Sequence, residues 1–241
     1  MVTVYGRNSV EEALEQALNI RALYVDRNKK QKYTKIISKI RQQGLRVDFC
    51  DTSVLDKTAG TRKHRGIVAE LEMPGNIHEE FDEEFDFEKY ANILALDGIT
   101  DVMNLGAIIR SALLFGCDAV VLPMDACARI TPAVIRASAG AVYKMPIFYI
   151  KNLNRFIDDI HAVGGRVYGL AAGKQNASID TLVPEKPFCF VIGSERKGMR
   201  KSVRKKCDEL LNIPTTGKLD SLNASVAAAI SLWEVYRKMY K

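Results

Sequence analysis

The sequence predicts an α/β protein, in which a small N-terminal α/β domain precedes a larger α/β domain with a mainly parallel sheet. Two observations support this fold class. Short apolar runs typical of strands alternate with amphipathic helical segments along most of the chain. With 241 residues, 47% of them apolar, the chain is long enough to bury one large core or two modest ones. We therefore expect domains at residues 1–75 and 91–241, joined by an acidic linker at 76–90.

The charge distribution supports this division. Residues 1–75 carry 14 Lys and Arg against 9 Asp and Glu, residues 76–90 carry 1 against 7, and residues 91–241 carry 20 against 13. Two basic regions are thus separated by a strongly acidic segment. The formal net charge of +6 favours a polyanionic partner without identifying it.

The elements of the first region follow from local patterns. Ser9-Val-Glu-Glu12 is a capping-box pattern that predicts the start of a helix. The apolar stripe of that helix comprises Ala13, Leu14, Ala17 and Leu18. A second helix is predicted over residues 32–43, with Ile36, Ile37 and Ile40 facing inward. The predicted strands are residues 21–25, 45–49 and 66–71.

A basic loop, Gly60-Thr-Arg-Lys-His-Arg-Gly66, precedes the last of these strands. Its glycines let a main chain approach closely, and its fixed positive charges suit an RNA phosphate backbone. The candidate RNA-binding residues are Arg62, Lys63, His64 and Arg65. An ordinary solvated loop is the alternative. We expect no metal site, because neither His78 nor His161 has ligand-like spacing to His64.

Seven acidic residues lie between positions 79 and 88, after the breaker Pro74-Gly75. Such a run is usually a solvated linker, so the domain boundary is predicted here. The interleaved Phe81, Phe85 and Phe87 indicate that parts of the segment pack locally.

The second region repeats the strand and helix rhythm. Its predicted strands are residues 92–96, 119–122, 166–170 and 188–192, which favours a parallel sheet covered on both faces. Only Asp97-Gly98 follows the first strand, which argues against a G-x-G-x-x-G dinucleotide site. Gly169-Leu-Ala-Ala-Gly-Lys174 is one residue too short for a Walker A loop and lacks its Ser or Thr.

Cysteine usage and hydropathy exclude further classes. The five cysteines form no C-x-x-C pair, so we expect buried free thiols and neither a disulfide nor a metal site. The apolar runs fall far short of the roughly 18 residues that a membrane span needs. The first residues lack the apolar core of a signal peptide, which predicts a cytoplasmic protein.

Two polar motifs of the second region are candidates for chemistry. Asn104 reads as a helix N-cap, with Arg110 about one and a half turns further on in an apolar helix. A guanidinium among apolar residues needs an acceptor, which favours a functional Arg110 over a surface charge. Gly193-Ser-Glu195 follows an apolar strand, where open α/β sheets bind ligands. Glu195 is either a ligand anchor or a surface carboxylate.

A third motif, Ser221-Leu-Asn223, lies between the breakers Pro214 and Gly217 and the last helix. Ser221, Asn223 and Ser225 crowd the start of this helix, where one cap suffices. This excess of polar residues favours a ligand-facing loop over an ordinary helix cap. The helix carries an apolar face, which indicates either core packing or a subunit interface. That face consists of Val226, Ala229, Ile230, Trp233 and Tyr236.

These three motifs, in this order, resemble those of the SpoU (TrmH-like) RNA ribose 2′-O-methyltransferases. Residues 1–75, including Tyr5-Gly-Arg-Asn-Ser-Val-Glu-Glu-Ala-Leu14, resemble that family's small RNA-binding domain. The resemblance implies a SPOUT-type catalytic domain with a C-terminal trefoil knot. It also implies methyl transfer from S-adenosylmethionine to a guanosine ribose in 23S-type ribosomal RNA, by a homodimer whose last helix forms the interface and whose active site uses both subunits. A tRNA methyltransferase and a non-catalytic RNA-binding protein of the same fold are the alternatives.

The resemblance assigns roles to individual positions. It implies a catalytic set of Asn104, Arg110, Glu195, Ser221 and Asn223, with the cofactor against the main chain around Gly193, Ile213 and Leu222. The counterpart of Arg110 is the family's proposed general base. Because a guanidinium normally stays protonated, holding a phosphate and stabilising the developing alkoxide is an equally physical role. The sequence departs from the family pattern at Val102-Met103 and at Arg196, which adds a positive charge near the RNA path.

Overall fold

The computed structural model describes residues 2–15, 18–72, 75–81, 84–173, 175–219 and 221–240. Its internal contacts divide the chain into two units, Met1–Pro74 and Gly75–Lys241. Five residues used in the sequence-based predictions lie outside the described ranges: Ala17, Pro74, Asp82, Glu83 and Lys174.

The first unit is built on a mixed sheet. Its strands are β1 (Val2–Tyr5), β2 (Ile20–Asp26), β3 (Arg46–Cys50) and β4 (Ile67–Leu71). They lie in the order β1-β4-β2-β3, with β4 antiparallel to both β1 and β2, and with β2 parallel to β3. The helices are α1 (Arg7–Glu15), α2 (Thr34–Gln42) and α3 (Thr52–Ala59), and 3-10 turns span Arg27–Tyr33 and Arg62–His64.

The predicted strands of this unit are present, but both predicted helices start elsewhere. Helix α1 begins at Arg7, so the capping-box prediction at Ser9 is wrong. Residues 32 and 33 belong to a 3-10 turn that Asp26 starts by accepting a hydrogen bond from the N–H of Asn28, and α2 begins only at Thr34. The three isoleucines of α2 are buried, as predicted.

The second unit contains a parallel sheet with helices on both faces. Its strands are β5 (Ile77–Phe81), β6 (Asn92–Asp97), β7 (Ala119–Pro123), β8 (Ile147–Ile150), β9 (Arg166–Leu170), β10 (Ala177–Ser178), β11 (Phe188–Gly193) and β12 (Glu209–Asn212). The longer helices are α4 (Val102–Leu114), α5 (Pro132–Ala137), α6 (Leu153–Ala162), α7 (Lys201–Lys206) and α8 (Ala224–Tyr240). The strand order is β10-β12-β9-β11-β6-β7-β8-β5, and every neighbouring pair is parallel. The predicted parallel sheet is therefore confirmed.

The order in which the chain visits the strands determines the helix layers. From β6 the chain moves one way to β7 and β8, and it then crosses to β9 on the far side of β6. Right-handed crossovers in opposite directions place helices on opposite faces. Accordingly α6 and α7 share one apolar cluster, in which Phe156, Met199 and Val203 pack with alternate residues of the strands. On the other face α4 packs against α5 and α8.

The prediction of a linker at residues 76–90 needs correction. Strand β5 lies within this segment and pairs in parallel with β8 at the edge of the sheet. The Phe81 ring contacts those of Phe85 and Phe148, and Phe85 is buried in the core. The interleaved aromatic residues thus bind an acidic segment to the second unit. The trefoil knot stays a prediction.

All five cysteines are free thiols. Cys117 and Cys189 are buried, as predicted, whereas Cys50, Cys127 and Cys207 are only partly buried. Burial raises the pKa of all five, that of Cys207 to about 12. Because the thiolate is the reactive form, these residues are poor nucleophiles near neutral pH.

Candidate active site

The carboxyl ends of β6 and β11 form the centre of the candidate site. These neighbouring strands end in register, with Asp97 opposite Gly193. The chain leaves β6 in one direction across the sheet and β11 in the other. In open α/β sheets, such a switch point leaves a crevice in which ligands bind.

The turn after β11 explains why residue 193 is glycine. A Cβ at Gly193 would lie 2.2 Å from main-chain atoms of both Gly198 and Met199, because the chain folds straight back over the strand end. Reciprocal main-chain hydrogen bonds between Ser194 and Gly198 close the turn, at 3.2 and 2.8 Å. Glu195 is held in this turn. Gly193 therefore has a steric role, and its predicted contact with a cofactor stays a prediction.

An ion pair with a buried carboxylate anchors the same turn to β6, and no local sequence pattern indicates it. The Asp97 side chain is fully buried, whereas that of Arg200 is 43% exposed. Asp97 accepts hydrogen bonds from the main-chain N–H and from Nε of Arg200, both at 2.7 Å. A buried carboxylate needs such partners, and here they fix the segment that follows Glu195.

Three polar side chains from distant parts of the chain meet beside this turn. Oε1 of Glu195 accepts hydrogen bonds from Nδ2 of Asn104, at 3.0 Å, and from Nδ2 of Asn223. Nδ2 of Asn223 also donates to Oδ1 of Asn104, at 3.1 Å. The main-chain N–H of Ala224 donates to the same Glu195 oxygen at 3.1 Å. The cluster thus ties α4, the turn after β11 and the start of α8 together.

The structure corrects the predicted cap of α4. Asp101, rather than Asn104, caps the helix, because its side chain accepts from the N–H of Asn104 at 2.8 Å. This arrangement leaves the Asn104 amide able to reach Glu195. At the other helix, Asn223 does cap α8, since its Oδ1 accepts from the N–H groups of Ser225 and Val226. Its amide nitrogen serves the cluster at the same time.

Arg110 lies apart from this cluster. It is exposed, and its guanidinium has no hydrogen bond or ion pair with any described residue, so the expected acceptor among apolar neighbours is absent. Along an ideal helix it lies about 9 Å beyond Asn104 and about 120° round the axis. It therefore shares a face with Met103 and Leu114, which are 60% and 66% exposed.

The remaining predicted residues lie in the loops around the strand ends. Ser221 is exposed and forms no hydrogen bond within the described ranges. Ile213 and Leu222 are half-buried, before and after the exposed loop from Pro214 to Leu219. Asn212, at the end of β12, donates to the carbonyl of Gly173 beyond the end of β9, at 2.7 Å. The carboxyl ends of β9, β11 and β12 thus contribute to one edge.

In the first unit, one predicted RNA-binding residue is structural. His64 is 2% exposed; its Nδ1 accepts from the N–H of Gly66 at 3.0 Å, and its Nε2 donates to Asp56 at 2.9 Å. The prediction that His64 contacts RNA is therefore wrong. Arg62, Lys63 and Arg65 are exposed, as an RNA contact requires.

The structure adds a second basic segment beside this loop. The hydroxyl of Tyr33 donates to the carbonyl of Arg65 at 2.8 Å, and Lys29 lies next to Gly66, where an added Cβ would meet its Cδ at 2.6 Å. The 3-10 turn at 27–33 therefore places its exposed cations next to the loop. We call the combined set the basic patch: Arg27, Lys29, Lys30, Lys32, Arg62, Lys63 and Arg65. The run Arg27-Asn-Lys-Lys-Gln-Lys32 was the available signal in the sequence.

Comparison with known families decides the identity. Residues 91–233, which contain the whole polar cluster, match the SpoU rRNA Methylase family. The chain belongs to this family. Residues 3–76 match a second SpoU-type model, described as RNA 2′-O ribose methyltransferase substrate binding. This SpoU protein is therefore an RNA 2′-O-methyltransferase, and the basic patch lies in its substrate-binding unit.

Relatives of the SpoU protein extend over most of its length. It is 37% identical over 241 residues to an uncharacterized tRNA/rRNA methyltransferase of Mycobacterium avium, covering 98% of this chain and 77% of the relative. It is 34% identical to a protein of Staphylococcus haemolyticus named as a TrmH family tRNA/rRNA methyltransferase, covering 100% and 97%.

Solved structures share the fold of this SpoU protein. The AviRb methyltransferase of Streptomyces viridochromogenes, in complex with S-adenosylmethionine, matches with a TM-score of 0.68 at 23% identity, covering 98% of this chain and 89% of that one. A TrmH-family RNA methyltransferase structure from Porphyromonas gingivalis matches with a TM-score of 0.69 at 25% identity, covering 98% and 90%.

The described residues contain neither a membrane-spanning helix nor a metal-binding group. None of their helices combines the length and apolar character that a membrane span requires. No group of three or more His, Cys, Asp or Glu side chains within the described ranges is arranged to hold a metal ion.

Proposed function

We propose that this SpoU protein transfers a methyl group from S-adenosylmethionine to the ribose 2′-OH of a guanosine in 23S-type ribosomal RNA. The observation that carries the proposal is the cluster of Asn104, Glu195 and Asn223 at the switch point of the parallel sheet. The two-unit organisation, with a basic patch in the first unit, supports a large RNA substrate. Such a substrate also favours the predicted cytoplasmic location.

The residues around the strand ends fit the cofactor. Ile213 and Leu222 offer half-buried apolar side chains, and the loops after β9, β11 and β12 offer main-chain donors and acceptors. Apolar faces together with main-chain polar groups suit an adenosine moiety. We infer that Gly193, Ile213 and Leu222 line the cofactor site. S-adenosylmethionine supplies a methyl group activated by a positive sulfur.

We assign positioning of the ribose to the polar cluster. The ribose oxygen must be held in line with the methyl group and must lose its proton, so orientation and a proton acceptor are the main requirements. Asn104 and Asn223 hold each other and Glu195 in fixed geometry, and Ser221 lies exposed two residues before Asn223, where it can contact the sugar. A preorganised set of this kind orients a hydroxyl without rearranging.

We propose that Arg110 acts in a homodimer, on the active site of the partner subunit. Val226, Ile230 and Trp233 of α8 are 46%, 37% and 41% exposed, so they are not core residues of the monomer. Exposed Met103 and Leu114 flank Arg110 on α4, which packs against α8. A second copy of the chain packed on this apolar surface would bring Arg110 to the active site of that partner subunit. There it would hold a phosphate or the developing alkoxide.

Methyl transfer to RNA is the decisive test. Purified chain, labelled S-adenosylmethionine and separate pools of rRNA and tRNA are incubated, and the methylated nucleoside is mapped. We expect a single 2′-O-methylguanosine in large-subunit rRNA, and loss of activity in Asn223→Ala and Arg110→Ala. Methylation of tRNA alone would replace the rRNA assignment, and RNA binding without methyl transfer would support a non-catalytic protein.

The dimer has its own test. Light scattering at micromolar concentration should give twice the chain mass for the wild type and a single chain mass for Ile230→Glu, because a buried unpaired charge disrupts an apolar interface. Mixing Arg110→Ala with Asn223→Ala should restore part of the activity. A monomeric wild type, or no restoration in mixed dimers, would refute the role of Arg110 across the interface.

A further inference from the structure

A second basic surface lies in the catalytic unit, directly after the active-site turn. Residues 196–206 contain seven Lys and Arg and no Asp or Glu, so this segment alone carries more net charge than the +6 of the whole chain. Five of these cations are both exposed and without an ion pair to a described acidic residue. We call these five the basic ridge: Arg196, Lys197, Lys201, Arg204 and Lys205.

The ridge is attached rigidly to the fold. The two other cations of the segment are paired, Arg200 with buried Asp97 and Lys206 with Asp158 on α6. Val203 is fully buried between them, and Asn154 of α6 donates to the hydroxyl of Ser202 at 3.2 Å. Because the inward side of α7 is packed and paired, its free charges are presented at fixed positions.

Helix geometry places the free charges of α7 together. Lys201, Arg204 and Lys205 are three and four positions apart, so they share the face opposite Val203. Like charges at this spacing destabilise an isolated helix. Folding therefore gains nothing from the arrangement, whereas a polyanion would be attracted by it.

The position of the ridge indicates which polyanion it binds. Arg196 follows Glu195 directly, and Arg196 and Lys197 lie in the turn closed by Ser194 and Gly198. The ridge thus starts at the site proposed for the ribose and continues for about 9 Å along α7. This length allows contact with about two or three neighbouring phosphates of one strand.

We propose that the basic ridge binds the sugar-phosphate backbone of the substrate RNA next to the methylated nucleotide. The proposal rests on the proposed function only in taking RNA as the substrate. It assigns RNA contact to the catalytic unit itself, in addition to the basic patch of the first unit. The ridge adds affinity for the RNA backbone beside the target nucleotide, and it does so without reading sequence.

The test neutralises three cations that have no partner within the described chain. Lys201→Gln, Arg204→Gln and Lys205→Gln are combined in the full-length chain, and Arg200 is left intact because it anchors the turn. The matched control combines Lys89→Gln, Arg166→Gln and Lys186→Gln. These three exposed cations lie at the amino ends of β6, β9 and β11, on the opposite edge of the sheet. A third variant keeps the charge through Lys201→Arg, Arg204→Lys and Lys205→Arg.

Binding of a fluorescent 40-nucleotide single-stranded RNA of mixed sequence is measured by anisotropy over a range of salt concentrations. Each lost phosphate contact should lower the slope of log Kd against log salt by about 0.7 for a single strand, so we expect a fall of about 1.4 to 2 for two or three contacts. At moderate salt the neutralised variant should bind about tenfold more weakly or worse. The control and the charge-preserving variants should bind like the wild type. Thermal unfolding checks that all three variants fold.

Methyl transfer separates this proposal from the proposed function. With an RNA substrate, the neutralised variant should show a raised KM for RNA and an unchanged kcat, since no group at the reacting centre is altered. If the wild type methylates RNA and the neutralised variant has the slope and KM of the control, the ridge proposal is refuted and the function stands. If the wild type binds RNA with a slope that depends on the ridge but transfers no methyl group, the function is refuted and the ridge stands.

Discussion

Replacement of Glu195 by alanine is the most direct perturbation of the candidate site. One carboxylate oxygen of Glu195 accepts from the side chains of Asn104 and Asn223 and from the main chain of Ala224. Alanine removes this shared acceptor. Helix α4, the turn after β11 and helix α8 then lose their common connection, while the apolar core stays unchanged.

The structure sets the expected magnitude. Each hydrogen bond of this kind contributes about 0.5–1.5 kcal/mol to folding, which gives roughly 1.5–4.5 kcal/mol for three. Glu195 is exposed, so water replaces part of each interaction, and we expect Glu195→Ala to lower the free energy of unfolding by about 1.5–3 kcal/mol. Glu195→Gln keeps an acceptor and loses only the charge at the N-terminus of α8, which contributes about 0.3–1 kcal/mol.

Thermal unfolding measures the difference. For a chain of this size, 1 kcal/mol shifts Tm by about 2–4 °C, so Glu195→Ala should lower Tm by about 3–12 °C and Glu195→Gln by about 1–4 °C. Glu185→Ala is the control, because that exposed carboxylate has no hydrogen bond or ion pair within the described ranges and should change stability by less than about 0.5 kcal/mol.

A double-mutant cycle with Asn223→Ala isolates the contact itself. Residues in one hydrogen-bond network couple by about 0.5–3 kcal/mol. Asn223→Ala should therefore lower the free energy of unfolding less in the Glu195→Ala variant than in the wild type. Equal Tm values for Glu195→Ala and Glu185→Ala, together with zero coupling to Asn223, would show that the cluster does not hold the three elements together. The assembled site would then lack its physical basis.

Three further outcomes are expected. Gly193→Ala should destabilise the second unit by about 1–3 kcal/mol and abolish methyl transfer, because the new Cβ would lie 2.2 Å from main-chain atoms of the returning turn. Gly75→Ala, which has open space around it, should change little. Thermal unfolding and activity assays check both variants. Asp97→Ala should lower the free energy of unfolding by about 2–4 kcal/mol in chemical denaturation, since it leaves the half-exposed Arg200 without its buried partner. A decrease smaller than that of Glu185→Ala would exclude the ion pair as an anchor. The pKa of Asp26 is lowered, chiefly by the main-chain hydrogen bond from Asn28. Its stabilising contribution is therefore present above the unfolded-state pKa near 3.8 and is lost as pH falls through the folded pKa. Asp26→Asn should flatten the acid side of the curve of unfolding free energy against pH for the first unit, and an unchanged curve would contradict this.

The sheet of the second unit could be predicted because its strands are continuous apolar runs, the pattern of strands buried on both faces. The strand order could not, because the reversal at β6 and β11 arises from tertiary crossovers that leave no local pattern. Strand β5 was missed for a different reason. Its glutamates dominate the local composition, while the packing of Phe81 and Phe85 decides the structure.

The candidate site was predicted only in part. Asn104, Glu195 and Asn223 were identified through a resemblance and through an excess of polar residues at a helix start. Their shared hydrogen bonds, like the Asp97–Arg200 pair that joins residues 103 positions apart, depend on the fold. His64 shows the opposite error, since its basic neighbours indicated RNA contact although burial and two internal hydrogen bonds make it structural.

A carboxylate at the centre of the proposed RNA site requires an explanation, because phosphates repel it. In this protein Glu195 is surrounded by three N–H donors and lies at the positive end of the α8 dipole, while Arg196 and Lys197 follow it in the same turn. Its charge is thus balanced locally, and its strength as an acceptor is retained. The hydrogen bonds that balance the charge of Glu195 also orient the amides of Asn104 and Asn223. A ribose bound at the cluster would therefore meet polar groups that are already positioned. Removing the carboxylate should therefore lower kcat more than it raises the KM for RNA, whereas removing the surrounding cations should do the reverse.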